Sequence, residues 1–207
     1  MDKIITKEAI QHLRKDPILR KAIDQIELPP RNIHANVYDA LISSIIGQQL
    51  SVKAASTIKG RFLDLFDGNF PLPQELMPTE DEWLRKVGLS RNKASYVKNV
   101  AQFFDENDLL EKDWSNDTDE DIINLLTQIK GVGRWTVEMI LMFALQRPDV
   151  FPLLDLGIQN GIKKLYDVTA EKKELYKAME EISQPWKPHR TLACLYLWGT
   201  NVLFTEK

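Results

Sequence analysis

The clearest candidate for chemistry in this sequence is a carboxylate, Asp155, in the segment Asp149-Val-Phe-Pro-Leu-Leu-Asp-Leu-Gly. Pro152 fixes a bend before it, and the residues that follow predict that Asp155 begins a new helix. Aspartate is a preferred N-cap residue, so the side chain could serve only as a cap. A carboxylate at a helix N-terminus also stays ionised readily. It could stabilise positive charge that develops on a sugar carbon and orient an attacking water. The two interpretations do not exclude each other.

A second candidate is the turn Lys130-Gly-Val-Gly-Arg134 between two predicted helices. Glycine accepts positive φ and brings no side chain, so the two helices can turn tightly. Free backbone N–H groups at the start of the second helix, flanked by Lys130 and Arg134, suit a phosphate oxygen. Thr136 lies in the same first turn. The turn therefore predicts a contact to a phosphate backbone, although an ordinary helix corner with a glycine end uses the same residues.

Other polar turns and isolated cations could serve the same ligand. Gly47-Gln-Gln-Leu50 interrupts an apolar helix and presents two glutamines and a leucine. Ser90 is predicted to cap a helix whose first turn carries Lys93, and its backbone N–H groups could hold a second phosphate. Lys53 and Arg190 are further candidates. Ordinary solvated charge is an equally good interpretation of these cations.

The charge balance leaves a nucleic-acid partner open. The 207 residues have a formal net charge of −3, which by itself argues against nucleic acid. Nine acidic residues and one basic residue fall between Asp105 and Asp121, however, so the remaining sequence carries a net charge of +5. A positively charged face is therefore possible away from this acidic segment.

The cysteine content and the hydropathy bound the class of protein. One cysteine, Cys194, excludes an intramolecular disulfide and a four-cysteine metal cluster. The first residues lack the apolar core of a signal peptide, and the sequence has no run of 18 apolar residues. We expect a cytoplasmic protein, or a nuclear one in a eukaryote.

The elements that must position these residues are predicted to be helices. Apolar residues recur at helical spacing and alternating patterns are scarce, so the expected fold class is all-α, with ten or eleven short helices. Helices are expected over about 17–26 and 134–146. Thr79 with Glu82 has the pattern of a capping box, whereas 68–78 is predicted to be loop. The other predicted N-terminal caps are Asn36, Ser51, Ser90, Thr118 with Asp121, and Asp155.

Four strings, in this order, resemble the helix-hairpin-helix (HhH-GPD) DNA glycosylase superfamily. They are Ser44-Ile-Ile-Gly-Gln-Gln-Leu-Ser-Val-Lys-Ala-Ala55, the hairpin string of residues 126–139, the Phe-Pro-x-x-Asp-x-Gly string of 151–157, and Trp186-Lys-Pro-His-Arg-Thr-Leu-Ala-Cys-Leu-Tyr-Leu-Trp198. Val137 stands where the family usually has alanine, and Leu154 where close relatives usually have a first aspartate. The resemblance covers about residues 36–200 and is to the compact, purely helical form of the 3-methyladenine DNA glycosylase II branch.

The resemblance implies an irregular two-lobed helical fold with the helix-hairpin-helix motif, at about 118–146, beside the cleft between the lobes. One lobe is expected at about 36–130, and the second is expected to combine 1–35 with 135–207. Double-stranded DNA containing alkylated bases is the implied partner, and a monomer is our default expectation. We expect that no cofactor is required.

The resemblance also assigns roles to residues. Asp155 matches the catalytic aspartate. Trp135 occupies the position at which bifunctional relatives carry a lysine nucleophile, so a monofunctional enzyme that uses water is implied. The backbone carbonyls of Ile129, Gly131 and Val132 would hold Na⁺ or K⁺ together with DNA. The implied base pocket comprises Trp135, Trp198, Trp186, Phe151 and Tyr38. The implied wedge, which fills the gap left in the duplex by the flipped base, is Gln49 or Leu50. The implied contacts to the DNA backbone are Lys130, Gly131, Val132, Gly133, Arg134, Thr136, Ser90, Lys93, Lys53 and Arg190.

The sequence therefore predicts a DNA glycosylase that flips and excises alkylated purines and leaves an abasic site. Such purines are cationic, so an electron-rich aromatic pocket would attract them. Two alternatives remain open, namely excision of another lesion such as uracil, hypoxanthine or a mismatched base, and a non-catalytic module that binds damaged DNA. Plain core packing is the alternative interpretation of the aromatic residues.

Overall fold

All regular secondary structure that the computed structural model describes, over residues 2–29 and 36–203, is helical, which confirms the predicted fold class. Twelve α-helices and one 3-10 helix occur in these ranges. They are α1 (Lys7–Leu13), α2 (Leu19–Gln25), α3 (Val37–Gly47), α4 (Val52–Asp64), α5 (Pro73–Leu76), α6 (Asp81–Lys86), α7 (Arg91–Glu106), α8 (Asp119–Leu126), α9 (Arg134–Phe143), α10 (Leu156–Tyr166), α11 (Lys172–Ser183), the 3-10 helix Gln184–Trp186, and α12 (Arg190–Leu203). Within the described ranges, no helix combines the length and the apolar character needed to span a membrane.

The chain divides into two compact units. The middle unit comprises the described residues of 34–140, with helices α3–α8, and the terminal unit comprises those of 1–33 and 141–207, with α1, α2 and α10–α12. Helix α9 contains the point at which the units are divided. Asp155 therefore belongs to the terminal unit, whereas the glycine hairpin and the turn at 47–50 belong to the middle unit.

The core of the middle unit forms around α3. This helix packs against α4 and α7, and α7 also packs against α5 and α6. Leu41, Ile42 and Ile45 of α3 are fully buried, as are Val97 and Phe104 of α7. Burial of each such side chain contributes about 1.5–3 kcal/mol to folding. The well-packed helices α3 and α7 thus provide a fixed base for the turns that follow and precede them.

The core of the terminal unit forms around α12, which packs against α1, α2 and α10. Leu192 and Leu197 of α12 and Ile158 and Ile162 of α10 are fully buried. Helix α10 starts immediately after Asp155. The packing of α10 on α12 therefore fixes the place of the candidate carboxylate.

The predicted N-caps at most helix starts are confirmed. The side chain of Asn36 accepts hydrogen bonds from backbone N–H groups at the start of α3, and Ser51 and Ser90 do the same for α4 and α7. Thr118 and Asp121 form the predicted capping box of α8. These caps could be predicted because they satisfy free N–H groups within three residues in the sequence.

Other predicted helix boundaries are wrong. The segment 68–78 contains the short helix α5, since Pro73 suits the first position of a helix and the Glu75 carboxylate accepts from the N–H of Leu72. Thr79 does not cap a helix, because its hydroxyl donates to the carbonyl of Glu75 and α6 begins only at Asp81.

The two remaining differences concern helix ends, and one further helix was not predicted. Helix α2 begins at Leu19 rather than at position 17, although the Asp16 carboxylate accepts from the N–H groups of Ile18 and Leu19 as an N-cap residue does. Helix α9 ends at Phe143, three residues before the predicted end. Helix α1 has no counterpart among the predicted elements.

Candidate functional site

Asp155 is both a helix cap and a buried carboxylate. It is the N-cap residue of α10, and its Oδ1 atom accepts a hydrogen bond of 2.8 Å from the N–H of Ile158. The same oxygen accepts a second hydrogen bond of 2.8 Å from Nε1 of Trp198. The residue is 8% exposed. The predicted cap is confirmed, and the carboxylate has the fixed orientation and low exposure suited to stabilising positive charge that develops beside it.

The segment that leads to Asp155 is held against the start of α12. The guanidinium of Arg190 donates to both carboxylate oxygens of Asp149, at 2.7 and 2.8 Å, and the N–H of Val150 donates to the hydroxyl of Thr191. Arg190 was predicted to contact DNA phosphate. The structure contradicts this prediction, because the guanidinium is bound in a two-point ion pair that orients the loop.

Trp198 and Gly157 complete the surroundings of the carboxylate. The indole of Trp198 stacks on Phe143, with ring centroids 5.9 Å apart, and its N–H points at Asp155. A Cβ atom on Gly157 would lie 2.6 Å from Cδ1 of Trp198, so only glycine permits this approach. Trp198 was predicted as a pocket residue, and its hydrogen bond to Asp155 was not foreseen. Gly157 lies in the Asp-x-Gly string, which was the available signal for it.

Trp186 lies in the core of the terminal unit, which contradicts its predicted place in a base pocket. Its side chain is 1% exposed, and its Nε1–H donates to Asp16 at 2.9 Å. The hydroxyl of Tyr166 donates to the same carboxylate oxygen at 2.7 Å. Burial alone would raise the pKa of Asp16, but these two hydrogen bonds, with backbone N–H groups of α2, hold it below its ordinary value. Phe151 is half-buried with its ring edge-on to Trp186, and its pocket role stays a prediction.

Tyr38 is the other aromatic residue that the structure removes from the predicted pocket. It is 2% exposed and packs against Phe104 of α7, with ring centroids 5.3 Å apart. Desolvation, helped by nearby carboxylates, raises the pKa of its hydroxyl well above the usual range. Tyr38 is therefore a core residue of the middle unit. Its sequence position at the start of α3 could not reveal which side of the helix is covered.

The glycine hairpin between α8 and α9 is held by α7. Gly131 has φ of +102°, and a Cβ there would lie 2.2 Å from the ring of Tyr96. The side-chain amide of Asn99 donates to the carbonyl of Lys130 at 3.0 Å. Gly133 does not have positive φ, and a Cβ on it would meet no atom within 4 Å. The tight turn thus needs glycine at 131, and its contacts with α7 had no local signal.

The cations and hydroxyls of the hairpin differ in their availability. Arg134 forms ion pairs with Glu120 at 2.5 Å and Glu138 at 3.2 Å, and hydrogen bonding to Glu120 raises its pKa further. Its guanidinium is therefore already paired with two carboxylates, which reduces the positive charge available to a phosphate. Thr136 is buried, which contradicts its predicted DNA contact. Val132 is also buried and its N–H donates to the carbonyl of Ile129, which contradicts its predicted DNA contact as well. Lys130 and Gly133 are exposed and Gly131 is half-buried, and their DNA contacts stay predictions.

The turn after α3 lies beside Trp135 within the middle unit. Together they line a pocket of about 520 Å³ whose walls are Ser44, Gly47, Gln48, Gln49, Leu50 and Trp135. Leu50 is 38% exposed and Trp135 is 40% exposed, which is high for such large apolar side chains. The structure therefore brings together both predicted wedge residues and the predicted pocket tryptophan.

Lys93 does not have the free ammonium that a phosphate contact requires. Its Nζ atom donates to the carbonyl of Ile46 at 2.9 Å and to that of Gln48 at 2.7 Å. Desolvation by burial lowers its pKa. The predicted phosphate contact is wrong, because the ammonium binds the C-terminal end of α3. Lys53 is exposed on α4 and Ser90 caps α7, and their DNA contacts stay predictions.

Comparison with known proteins identifies the class. Residues 42–188 match the model of the HhH-GPD superfamily base excision DNA repair protein. The chain belongs to this superfamily of base excision repair proteins, as its motif strings predicted.

Individual relatives extend over most of the chain. DNA-3-methyladenine glycosylase 1 of Schizosaccharomyces pombe is 38% identical over 168 residues, which are 80% of this chain and 73% of the relative. A protein of Bacillus subtilis is 35% identical over 175 residues, and the match spans 82% of this chain but only 60% of that relative. The structure of the S. pombe 3-methyladenine DNA glycosylase in complex with abasic DNA has a TM-score of 0.83 at 33% identity, and the match covers 97% of this chain and all of that one.

Proposed function

We propose that this protein is a monofunctional DNA glycosylase that excises alkylated purines, of the 3-methyladenine and 7-methylguanine type, and leaves an abasic site. The observation that carries the proposal is the buried carboxylate of Asp155, fixed by an indole N–H and by the N-terminus of α10. The names of the similar proteins support the same substrate class.

The chemistry follows from the charge on the substrate. A purine alkylated at N3 or N7 is a cation, and it leaves as a neutral base when it takes the electron pair of the glycosidic bond. Positive charge then remains on C1′ of the deoxyribose, where a fixed carboxylate stabilises it. Water adds to C1′ and releases a proton, and the products are the free base and an abasic site. The role of Asp155 is to stabilise the cation and to orient this water.

The absence of a lysine at position 135 supports the monofunctional reaction. A bifunctional enzyme would form a Schiff base between an amine and C1′. Trp135 occupies the corresponding position of this chain and has no nucleophilic amine. Its exposed indole can instead attract the cationic base by a cation–π interaction of about 0.5–2 kcal/mol.

The hairpin supports binding to the DNA backbone. The exposed Lys130 and Gly133 flank a turn whose shape is fixed by Gly131. Backbone carbonyls of the turn also suit a monovalent cation. The carbonyl of Ile129 accepts from the N–H of Val132 and keeps a second lone pair. Together with the carbonyls of Gly131 and Val132 it would hold Na⁺ or K⁺, which would supply positive charge for binding a phosphate.

Replacement of Asp155 by asparagine or serine tests the proposal. Both residues are good N-caps, so α10 should still form; asparagine removes only the charge, whereas serine also removes the oxygen that accepts from Trp198. We expect release of 3-methyladenine and 7-methylguanine from methylated DNA to fall by more than about 100-fold. Thermal unfolding and binding to a duplex with an abasic-site analogue serve as controls and should change little. Release at the wild-type rate by either variant would exclude the proposed mechanism.

A further inference from the structure

We propose that Lys93 is a positioning residue that holds the turn at 47–50 in the shape in which Gln49 and Leu50 can enter the duplex. The inference rests on the proposed function, because it assigns a role within base flipping. It replaces the phosphate contact that the sequence predicted for this lysine.

The first observation is the chemistry of the C-terminal end of α3. The last carbonyls of a helix have no partner within the helix, and a cation there also interacts favourably with the helix dipole. The ammonium of Lys93 donates to the carbonyls of Ile46 and Gln48, at 2.9 and 2.7 Å. These carbonyls lie 47 and 45 residues away in sequence, so the contact ties α7 to the end of α3.

The second observation is the backbone of the turn. Gln49 has φ of +58°, in the left-handed region, which costs a non-glycine residue about 1 kcal/mol. Such a conformation persists when neighbouring contacts fix it. Lys93 binds the carbonyl of Gln48, which belongs to the peptide group directly before Gln49. The N–H of Leu50 donates to the carbonyl of Gly47 and closes the turn.

The third observation is what the turn presents. Leu50 is 38% exposed and lines the pocket that also contains Trp135. An apolar side chain held outward is suited to fill the gap that a flipped nucleotide leaves, and it offsets part of the unstacking cost. A turn that relaxed toward ordinary φ at Gln49 would lose this orientation. Lys93 therefore acts through Leu50 and Gln49 and does not touch DNA itself.

A phosphate contact and a positioning role for Lys93 predict different results in DNA-binding and base-release measurements. A phosphate contact contributes to binding of any duplex, and its loss reduces the slope of log K against log salt by about 1. A positioning residue affects only the step in which the base leaves the stack. Its loss should matter less when the lesion is already unpaired, because less unstacking work remains.

The test compares Lys93→Met with Lys53→Met, which removes an exposed cation from the first turn of α4. Binding to undamaged duplex DNA is measured over a range of salt concentrations. Release of 7-methylguanine is measured from a paired site and from a site opposite an abasic analogue. For Lys93→Met we expect unchanged binding and salt slope, about tenfold slower release from the paired site, and less than about threefold slower release from the unpaired site. Lys53→Met should reduce binding and the salt slope.

Lys93→Arg and Lys93→Gln keep the test independent of folding. Arginine retains a cation with several N–H donors and should release the base within about threefold of the wild-type rate. If Lys93→Met does not fold, Lys93→Gln takes its place with the same readouts. Equal losses on paired and unpaired lesions, or a reduced salt slope, would overturn the positioning role. If the wild type itself released no alkylated base, the proposed function would fail. The fluorescence of 2-aminopurine in the duplex would still report whether Lys93 affects flipping.

Discussion

Two regions of the molecule differ in how far their candidate functional side chains are exposed: the carboxylate region around Asp155 in the terminal unit, and the hairpin region, with the turns at 47–50 and 130–134, in the middle unit. Asp155 is buried, and its Oδ1 accepts from an indole N–H and a backbone N–H. In the middle unit, Leu50, Trp135 and Lys130 are exposed. The turns that carry or precede them are held by hydrogen bonds from side chains of α7. The first region holds one group rigidly, and the second presents a surface.

The difference follows from what each region must do in the proposed reaction. A carboxylate that stabilises developing charge needs its orientation fixed before substrate arrives, because reorganisation would cost energy during the reaction. A surface that grips a duplex needs accessible backbone and side chains, and its supporting contacts lie underneath. Variants in the first region should therefore reduce the chemical step, whereas variants in the second should reduce stability, flipping or lesion preference.

The largest effect is expected for Gly131→Ala, which tests whether contacts with α7 fix the backbone conformation of the exposed hairpin. The variant combines a positive φ with a Cβ at 2.2 Å from the ring of Tyr96, so we expect about 3 kcal/mol lower stability in urea unfolding. Gly133→Ala is the matched control and should stay within about 0.5 kcal/mol of the wild type. Equal stability of the two variants would contradict this account of the turn.

Trp198→Phe tests the rigidity of the carboxylate region. Phenylalanine keeps an aromatic ring against Phe143 but removes the N–H that donates to Asp155. A hydrogen bond to a charged group is worth about 1.5–3 kcal/mol, so we expect kcat to fall about 10- to 100-fold while KM changes little. Steady-state kinetics on a 7-methylguanine duplex measure both constants, and single-turnover kinetics isolate the chemical step. Trp83→Phe, which alters an exposed indole on α6, is the control, and a similar loss there would refute the role of the Trp198 N–H.

A smaller effect is expected for Trp135→Leu, which tests the surface region for lesion preference. Loss of a cation–π interaction worth about 1 kcal/mol should lower the release of cationic 7-methylguanine about fivefold relative to neutral hypoxanthine. Leucine keeps apolar volume beside Leu50. Competition between the two lesions in one reaction gives the ratio directly. An unchanged ratio would mean that this indole does not recognise the charge of the base.

The smallest effect is expected for Asp16→Asn, which tests how much the carboxylate bound by Tyr166 and Trp186 contributes to the stability of the terminal unit. Asp16 has a lowered pKa, so its ionised form stabilises the fold above the ordinary value of 3.8, and this contribution is lost as pH falls through the folded pKa. The variant should be less stable than the wild type at pH 7, by less than about 1 kcal/mol because the group is partly solvated. Urea unfolding should show the gap narrowing at pH 3.5. Asp64→Asn, on the exposed side of α4, controls for the loss of one negative charge.

Local chemistry explains why much of the fold could be predicted. The caps at Asn36, Ser51, Ser90 and Asp155 satisfy N–H groups two or three residues away, so each depends on a short stretch of sequence. The membership in the HhH-GPD superfamily could also be predicted, since its motif strings are contiguous. The predicted helix boundaries near Pro73 and Thr79 were wrong, because competing local hydrogen bonds allowed more than one residue to begin a helix.

The sequence by itself determined the helical class, most of the helix caps, the family and the carboxylate at 155. Only the tertiary structure decided which cations are available and which aromatic residues are core. Arg190 pairs with Asp149 and Lys93 with the end of α3, each more than 40 residues away, while Trp186 meets Asp16 across 170 residues. Charge pairing and burial depend on neighbours that the fold brings together, so no local pattern could reveal them.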